Sequence, residues 1–280
     1  MTQHNISISI NGSESKVKVR LVFIRIISLI EVPIMLLTLY ALCLLVRSRH
    51  ATSIFVIHLI LSDLVQTMCQ MIYATGSVRT PLLGLAYYYS LIVSVYLMAC
   101  IALERYLLVS HPIWYKTHHS LKSSCSISLV IWCVPLGFAD IKPPHLRFLA
   151  FPFTIVCLIP YLITALCFVG TWRGLSHATS LTPHKRRMIL GTLFLVLLTY
   201  TFLLLPFFLL LMFSYFTDKY EKFEDFLLCL VFLNPLADCL LYLFMRSDVA
   251  DLMPSLHCCC TSDTQQISVR YTTRTTQPSS

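Results

Sequence analysis

The stretch PLLGLAYYYSLIVSVYLMACI, residues 81–101, runs directly into Ala102-Leu103-Glu104-Arg105-Tyr106 and then Leu107-Leu108-Val109-Ser110-His111-Pro112. The first part carries no charge and is long enough to cross about 30 Å of hydrocarbon as a helix. Glu104 and Arg105 stand together where that run ends. A charged pair is costly at the centre of a bilayer and cheap at its face. The stretch therefore reads as a spanning helix with a charged latch at its cytoplasmic end.

Further runs of the same kind flank it. The chain has 280 residues, 57% hydrophobic and 12% charged, where soluble domains carry about a quarter charged residues. Seven spans are expected, over about 21–46, 52–73, 81–109, 125–141, 148–172, 187–213 and 226–245. The fold class is an all-α membrane protein, a seven-transmembrane-helix bundle. The expected organisation is an extracellular amino terminus (1–20), the bundle (21–245), a juxtamembrane segment (246–260) and a disordered cytoplasmic tail rich in Ser and Thr (261–280). No early apolar core follows a charged start, so no cleavable leader is expected.

Charge sets the orientation. The loops after spans 1, 3 and 5 hold Arg47, Arg49, Lys116, Lys122, Arg173, Lys185, Arg186 and Arg187 and no acid, whereas the other loops mix Arg79, Lys142, Arg147, Lys219 and Lys222 with Asp140, Asp218, Glu221, Glu224 and Asp225. Lys and Arg favour the cytoplasm. The amino terminus then lies outside and Arg105 inside, although Lys16, Lys18 and Arg20 oppose this locally. The net charge of +8 is thus a topology signal, and no nucleic-acid partner is expected. Asn5-Ile6-Ser7 and Asn11-Gly12-Ser13 are glycosylation sequons that fit an outer terminus. Of twelve cysteines, Cys43, Cys69, Cys100, Cys133, Cys157, Cys167, Cys229 and Cys239 fall within apolar runs and Cys125 begins one, so they read as free packing residues. Cys258, Cys259 and Cys260 follow the last span as palmitoylation sites.

Ordered motifs on the spans resemble the rhodopsin-like G protein-coupled receptors. They are Leu59-Ile60-Leu61-Ser62-Asp63 in span 2, Glu104-Arg105-Tyr106 in span 3, and Trp132 in span 4. Pro160 in span 5, Pro206 in span 6, and Asn234-Pro235 with Asp238 and Tyr242 in span 7 complete the set. The segment Arg246-Ser247-Asp248-Val249-Ala250 is weakly similar to the eighth helix of proton-sensing and lysophospholipid-type receptors. The resemblance implies a short amphipathic eighth helix and a plasma-membrane receptor that is not an enzyme. It would carry an extracellular small-molecule or lipid signal to a heterotrimeric G protein, with arrestin as a further partner. Glu104, Arg105, Tyr106 and Tyr242 would form the coupling switch, Glu104 pairing with Arg105.

The resemblance also implies a pocket of Asp63, Ser94, Asn234 and Asp238. It would hold a sodium ion, share a proton between the two acids, or enclose a water network; no other cofactor and no structural metal are expected. Tyr87 and Tyr88, with Phe207 and Phe208, are the expected ligand pocket, with Arg79, Lys142 and Arg147 at its mouth suiting an amphipathic or anionic molecule. Arg25 is expected to snorkel outward, and Glu31 to reach polar groups of span 7 or to be neutral.

Departures are equally specific. The outer disulfide has no cysteines near Thr80 or in 140–147, Met35 replaces the asparagine of span 1, and Leu203-Leu204-Leu205 replaces the aromatic of span 6. Phe168 and Cys239 replace a tyrosine and a proline. Two rivals follow: a non-signalling scavenger or partner subunit of another receptor, and a transporter. Against the transporter stand only seven glycines and no inverted repeat.

Overall fold

The computed structural model describes residues 2–47, 53–75, 80–118, 120–138, 146–177, 183–216 and 224–245, without the side chains of 2–17, 45–47, 116, 118, 138, 146–153, 176–177, 183–186, 214–216, 224–225 and 244–245. All of the described regular structure is helical. Six helices are long and apolar enough to cross a membrane, and a shorter apolar one covers Leu121–Gly137. In hydrocarbon each backbone N–H and C=O must be satisfied within its own segment, which is why apolar runs of this length are helices.

The first helix, α1 (Thr2–Arg47), begins well before the expected start at residue 21. Its membrane-length apolar window is Lys18–Leu44, so the polar amino-terminal residues continue the helix beyond it. Span 2 is α2 (Ile54–Thr75) and span 3 is α3 (Pro81–Ser110). Thr80 precedes α3 in an extended conformation and Pro81 takes the first helical turn, where its missing N–H costs nothing. A short α4 (Pro112–His118) follows, then α5 (Leu121–Cys133), whose first turn is capped by Ser120 Oγ accepting from the Ser123 N–H at 3.1 Å. Span 4 finishes as a 3-10 turn over Val134–Phe138, at Pro135. Span 5 is α6 (Leu146–His177).

Span 6 is α7 (Pro183–Thr199), a π-helical turn at Tyr200–Leu204, and α8 (Leu205–Phe216). The Leu205 N–H reaches back to Tyr200 O, one residue further than in an α-helix, immediately before Pro206, whose ring would otherwise press on the preceding turn. Span 7 is broken into α9 (Glu224–Val231) and α10 (Asn234–Met245) around Pro235.

Span 3 is the axis. Leu91, Val93, Val95, Leu97, Met98, Ile101 and Ala102 are fully buried, and α3 packs most extensively on α2 and α6. Large apolar side chains cover the outside instead, with Leu29 at 75% and Leu166 at 73% exposed, a surface that suits lipid rather than water.

Three tyrosines of α3 fasten the neighbouring spans by their hydroxyls. Tyr87 donates to Val231 O at 3.1 Å, Tyr96 to Val156 O at 3.0 Å, and Tyr89 to Trp132 O. Val231 and Val156 lie four residues before Pro235 and Pro160. Each proline removes the N–H that would have satisfied that carbonyl, and a span 3 tyrosine supplies the donor instead. Trp132 Nε1 donates to His58 Nδ1 at 3.2 Å, tying span 4 to span 2. The described cysteines are all free thiols, as expected from their positions.

Candidate functional site

Three polar places lie along the bundle axis. The central one gathers all four residues of the expected ion pocket. Asp63 and Ser94 are fully buried, as is Asn234, and Asp238 is 1% exposed. Ser94 Oγ donates to Asp238 Oδ2 at 3.1 Å, and Asn234 Nδ2 lies 3.2 Å from the same oxygen and 3.3 Å from Ser94 Oγ. The Asp63 and Asp238 carboxyl groups are within hydrogen-bonding reach of each other, a contact that needs a proton or a cation between two like charges. Gln66 Nε2 donates to Asp63 Oδ1 at 3.3 Å. Asp63 Oδ2, Asp238 Oδ1 and Asn234 Oδ1 have no protein donor. The site therefore presents several oxygen acceptors and few donors, the balance that a hard monovalent cation or a proton corrects.

Glu31 is fully buried nearby. Its carboxylate accepts from Thr67 Oγ1 of span 2 at 2.6 Å, so the partner expected from span 7 comes from span 2 instead. Thr67 is one helical turn beyond Asp63. Arg25 does not snorkel freely, because its Nε donates to Ala74 O at 2.9 Å and so closes the carboxyl end of α2.

The second place is the end of α3 at Glu104. This carboxylate is 8% exposed. It accepts from Ser53 Oγ at 2.5 Å, just ahead of α2, and from the Tyr115 hydroxyl at 2.9 Å, on α4. Two hydroxyls are thus among the partners of Glu104. Burial, and then the Glu104 carboxylate, hold the Tyr115 phenol well above its ordinary pKa. Tyr106 turns toward span 5, where a Cβ on Gly170 would come within 2.5 Å of its ring. Tyr242 is 5% exposed in the core between spans.

The third place is a cavity of about 170 Å³ at the opposite end of α3. Tyr87 and Tyr88 line it, whereas Phe207 and Phe208 do not. Phe207 stacks on Tyr88, with centroids 6.3 Å apart, and Phe208 is fully buried against Tyr200. The cavity instead opens between spans 1, 2, 3 and 7, with Arg20, Gln70, Tyr73 and Phe232 completing its walls. Arg79 and Lys142 lie outside the described residues, as do the Arg147 side chain, Cys258 to Cys260 and the expected eighth helix.

The sequence of this arrangement matches the profile of the 7 transmembrane receptor (rhodopsin family) over residues 36–141. That match takes in the Asp63 motif, the whole of α3 with Glu104-Arg105-Tyr106, and Trp132. Over this part of its length the chain is similar to the rhodopsin family of seven-transmembrane receptors. It is 24% identical over 201 residues to a purinoceptor of Gallus gallus, purinoceptor 8, covering 58% of this chain and 56% of that protein. It is 22% identical over 266 residues to the free fatty acid receptor 3 of Mus musculus, covering 80% and 82%. The human G-protein coupled receptor 68 matches at 26% over 111 residues, 36% of this chain and 30% of its own length. The chain thus spans little more than half of the first of these relatives. The family is one of receptors rather than enzymes, in line with the reading of the sequence.

Several residues of these polar sites had no signal in the sequence reading. Ser53 and Tyr115 belong to no quoted motif. Gln66, Thr67 and Gln70 are ordinary polar residues in a span. Tyr96 and Tyr87 were foreseeable as a need: a proline inside a span leaves one carbonyl to be satisfied, and only tertiary packing decides by whom.

Proposed function

We propose that the protein is a plasma-membrane receptor that detects an extracellular small molecule or lipid and promotes nucleotide exchange on a heterotrimeric G protein, with arrestin as a further partner. The observation that carries this reading is a continuous polar axis. Tyr87 lines the cavity and bonds to Val231, three residues before Asn234 of the central cluster. The same helix continues from Ser94 of that cluster to Glu104 and Arg105. A change at the cavity therefore has a packed, hydrogen-bonded route to the far end of α3. The names of two relatives denote receptors for purines and for free fatty acids, both small organic ligands.

The amino terminus is placed outside on the excess of Lys and Arg in the loops after spans 1, 3 and 5. Asn5 and Asn11 then carry glycans. Arg246 begins a short eighth helix that Cys258, Cys259 and Cys260 anchor by palmitoylation, and a sodium ion or a proton occupies the Asp63–Asp238 cluster. A second reading, a receptor-like protein that binds ligand without signalling, draws on span 6. There Tyr200 is fully buried and its hydroxyl is fixed to Cys157 O of span 5, a tie that opposes outward movement of span 6.

A nucleotide-exchange screen over G protein subtypes, with ligand libraries, separates the two readings. Exchange above background that Arg105→Ala removes, at unchanged surface level, supports coupling. Surface expression and ligand binding without exchange on any subtype supports the silent receptor. Glycosidase treatment that leaves mobility unchanged while both sequons are intact overturns the outside placement of the terminus.

A further inference from the structure

The cavity between spans 1, 2, 3 and 7 is walled by rings set at angles to one another. Phe232 meets Tyr87 edge-on with centroids 5.2 Å apart, Tyr88 meets Tyr87 in the same way at 5.7 Å, and Tyr73 tilts on Phe232 at 6.4 Å. Leu228 adds aliphatic carbon. Gly84 also belongs to the wall, and a Cβ built on it meets nothing within 4 Å. The space of about 170 Å³ is close to the ~150 Å³ at which an apolar cavity stays dry and takes up one benzene-sized guest.

Three polar groups at this wall are turned to the protein. The Tyr87 hydroxyl donates to Val231 O at 3.1 Å. Gln70 Nε2 donates to Phe232 O at 3.0 Å, and its Oε1 is buried out of a ligand's reach. The Arg20 guanidinium lies over the Tyr73 ring, 5.9 Å from its centroid, and has a further partner of its own. A charge brought in among these rings loses its hydration and finds no free partner in these three groups. An aromatic guest instead sets its edges and faces against angled rings, a geometry worth more than apolar contact alone.

We propose that this cavity binds one uncharged, single-ring aromatic group, either a small aromatic molecule or the ring end of a larger one. The proposal rests on the receptor reading for its biological use, and it names the chemistry of the ligand's buried end. A saturated ring or an alkyl chain of the same size fills the space without the ring-to-ring contacts. A charged ring cannot be desolvated there, and a fused pair of rings is too large.

The test uses the full chain in lipid nanodiscs and follows the fluorine resonance of 4-fluorobenzyl alcohol, with empty nanodiscs as the blank. Receptor-specific broadening is expected, and benzyl alcohol should reverse it. Cyclohexylmethanol and hexanol should compete about three- to tenfold more weakly, and N-methylpyridinium should not compete. Gly84→Leu fills the cavity and should remove the broadening. Gly137→Leu is the comparison, because its Cβ also meets nothing within 4 Å and it lies on span 4, away from the cavity. Unfolding temperatures of both variants show that they are folded, and the wild-type competition series decides the question if Gly84→Leu does not fold. Equal competition by hexanol or cyclohexylmethanol makes this a site for the lipid's own acyl chains and overturns the proposal. So do competition by N-methylpyridinium, full binding by folded Gly84→Leu, or no broadening beyond the blank. None of these outcomes touches the receptor reading, which stands or falls separately on ligand-free nucleotide exchange.

Discussion

The Tyr87 hydroxyl donates to Val231 O at 3.1 Å, taking the place of the N–H that Pro235 lacks. This one bond joins the lining of the outer cavity to the break in span 7, immediately before the buried cluster. Tyr87→Phe keeps the ring packing on Phe232 and Tyr88 and deletes only the donor. The expected outcome is a loss of about 1–3 kcal/mol, seen as a fall in unfolding temperature of a few degrees. Tyr88→Phe, beside it but not bonded to that carbonyl, serves as the comparison.

Glu104 accepts from Ser53 and Tyr115 together, which ties the end of span 3 to the start of span 2 and to α4. Hydrogen bonds to a charged group are worth about 1.5–3 kcal/mol. Ser53→Ala and Tyr115→Phe should each raise basal nucleotide exchange several-fold, because each loosens the resting position of Glu104. The double variant should add less than the sum, since both hydroxyls serve one carboxylate. Additive effects, measured on membranes with matched receptor content, would mean two separate contacts.

Gly170 leaves the space that the Tyr106 ring fills. A Cβ there would stand 2.5 Å from that ring, and the ring, being the far end of a rotatable side chain, is what must move. Gly170→Ala should therefore cost about 1–3 kcal/mol at most while displacing Tyr106 from span 5. A double-mutant cycle with Tyr106→Ala checks it by thermal unfolding: without the ring, the added methyl should cost almost nothing.

The membrane-length helices were legible because apolar length is a one-dimensional property, whereas the grouping of Asp63, Ser94, Asn234 and Asp238 was expected only from the family resemblance. The extension of α1 to Thr2 was not legible, since a polar helix without an apolar stripe carries no periodic signal. Nor was the π turn at Tyr200–Leu204, which answers a packing demand at Pro206. The contacts of Glu104 with Ser53 and Tyr115, 51 and 11 residues away, were not legible either, since neither residue belongs to a motif and only packing brings them to the carboxylate. The cavity beside Tyr87 was not legible for a related reason: its walls are set by how spans 1, 2, 3 and 7 pack, while Phe207 and Phe208 of span 6 pack on Tyr88 and Tyr200.

The last prediction concerns Asp63 and Asp238. Both are buried, they lie within hydrogen-bonding reach of each other, and oxygens of both lack a protein donor. Two separate carboxylates at this depth would be too costly, so they act as one site that takes up a cation or a proton. Sodium should stabilise the resting state, raising the unfolding temperature and lowering basal exchange. A proton can take the ion's place, so the sodium effect should shrink at acid pH. Asp63→Asn and Asp238→Asn should each remove most of the sodium dependence, and the double variant should add little to either. Glu31→Gln sets the boundary of the site. Its carboxylate is held by Thr67 rather than by Ser94 or Asn234, so this variant should lower stability yet leave the sodium response in place. Sodium titrations of unfolding temperature on the four variants and the wild type decide it. Additive losses from the two aspartates, or a wild type indifferent to sodium at neutral and acid pH alike, would show two independent structural acids.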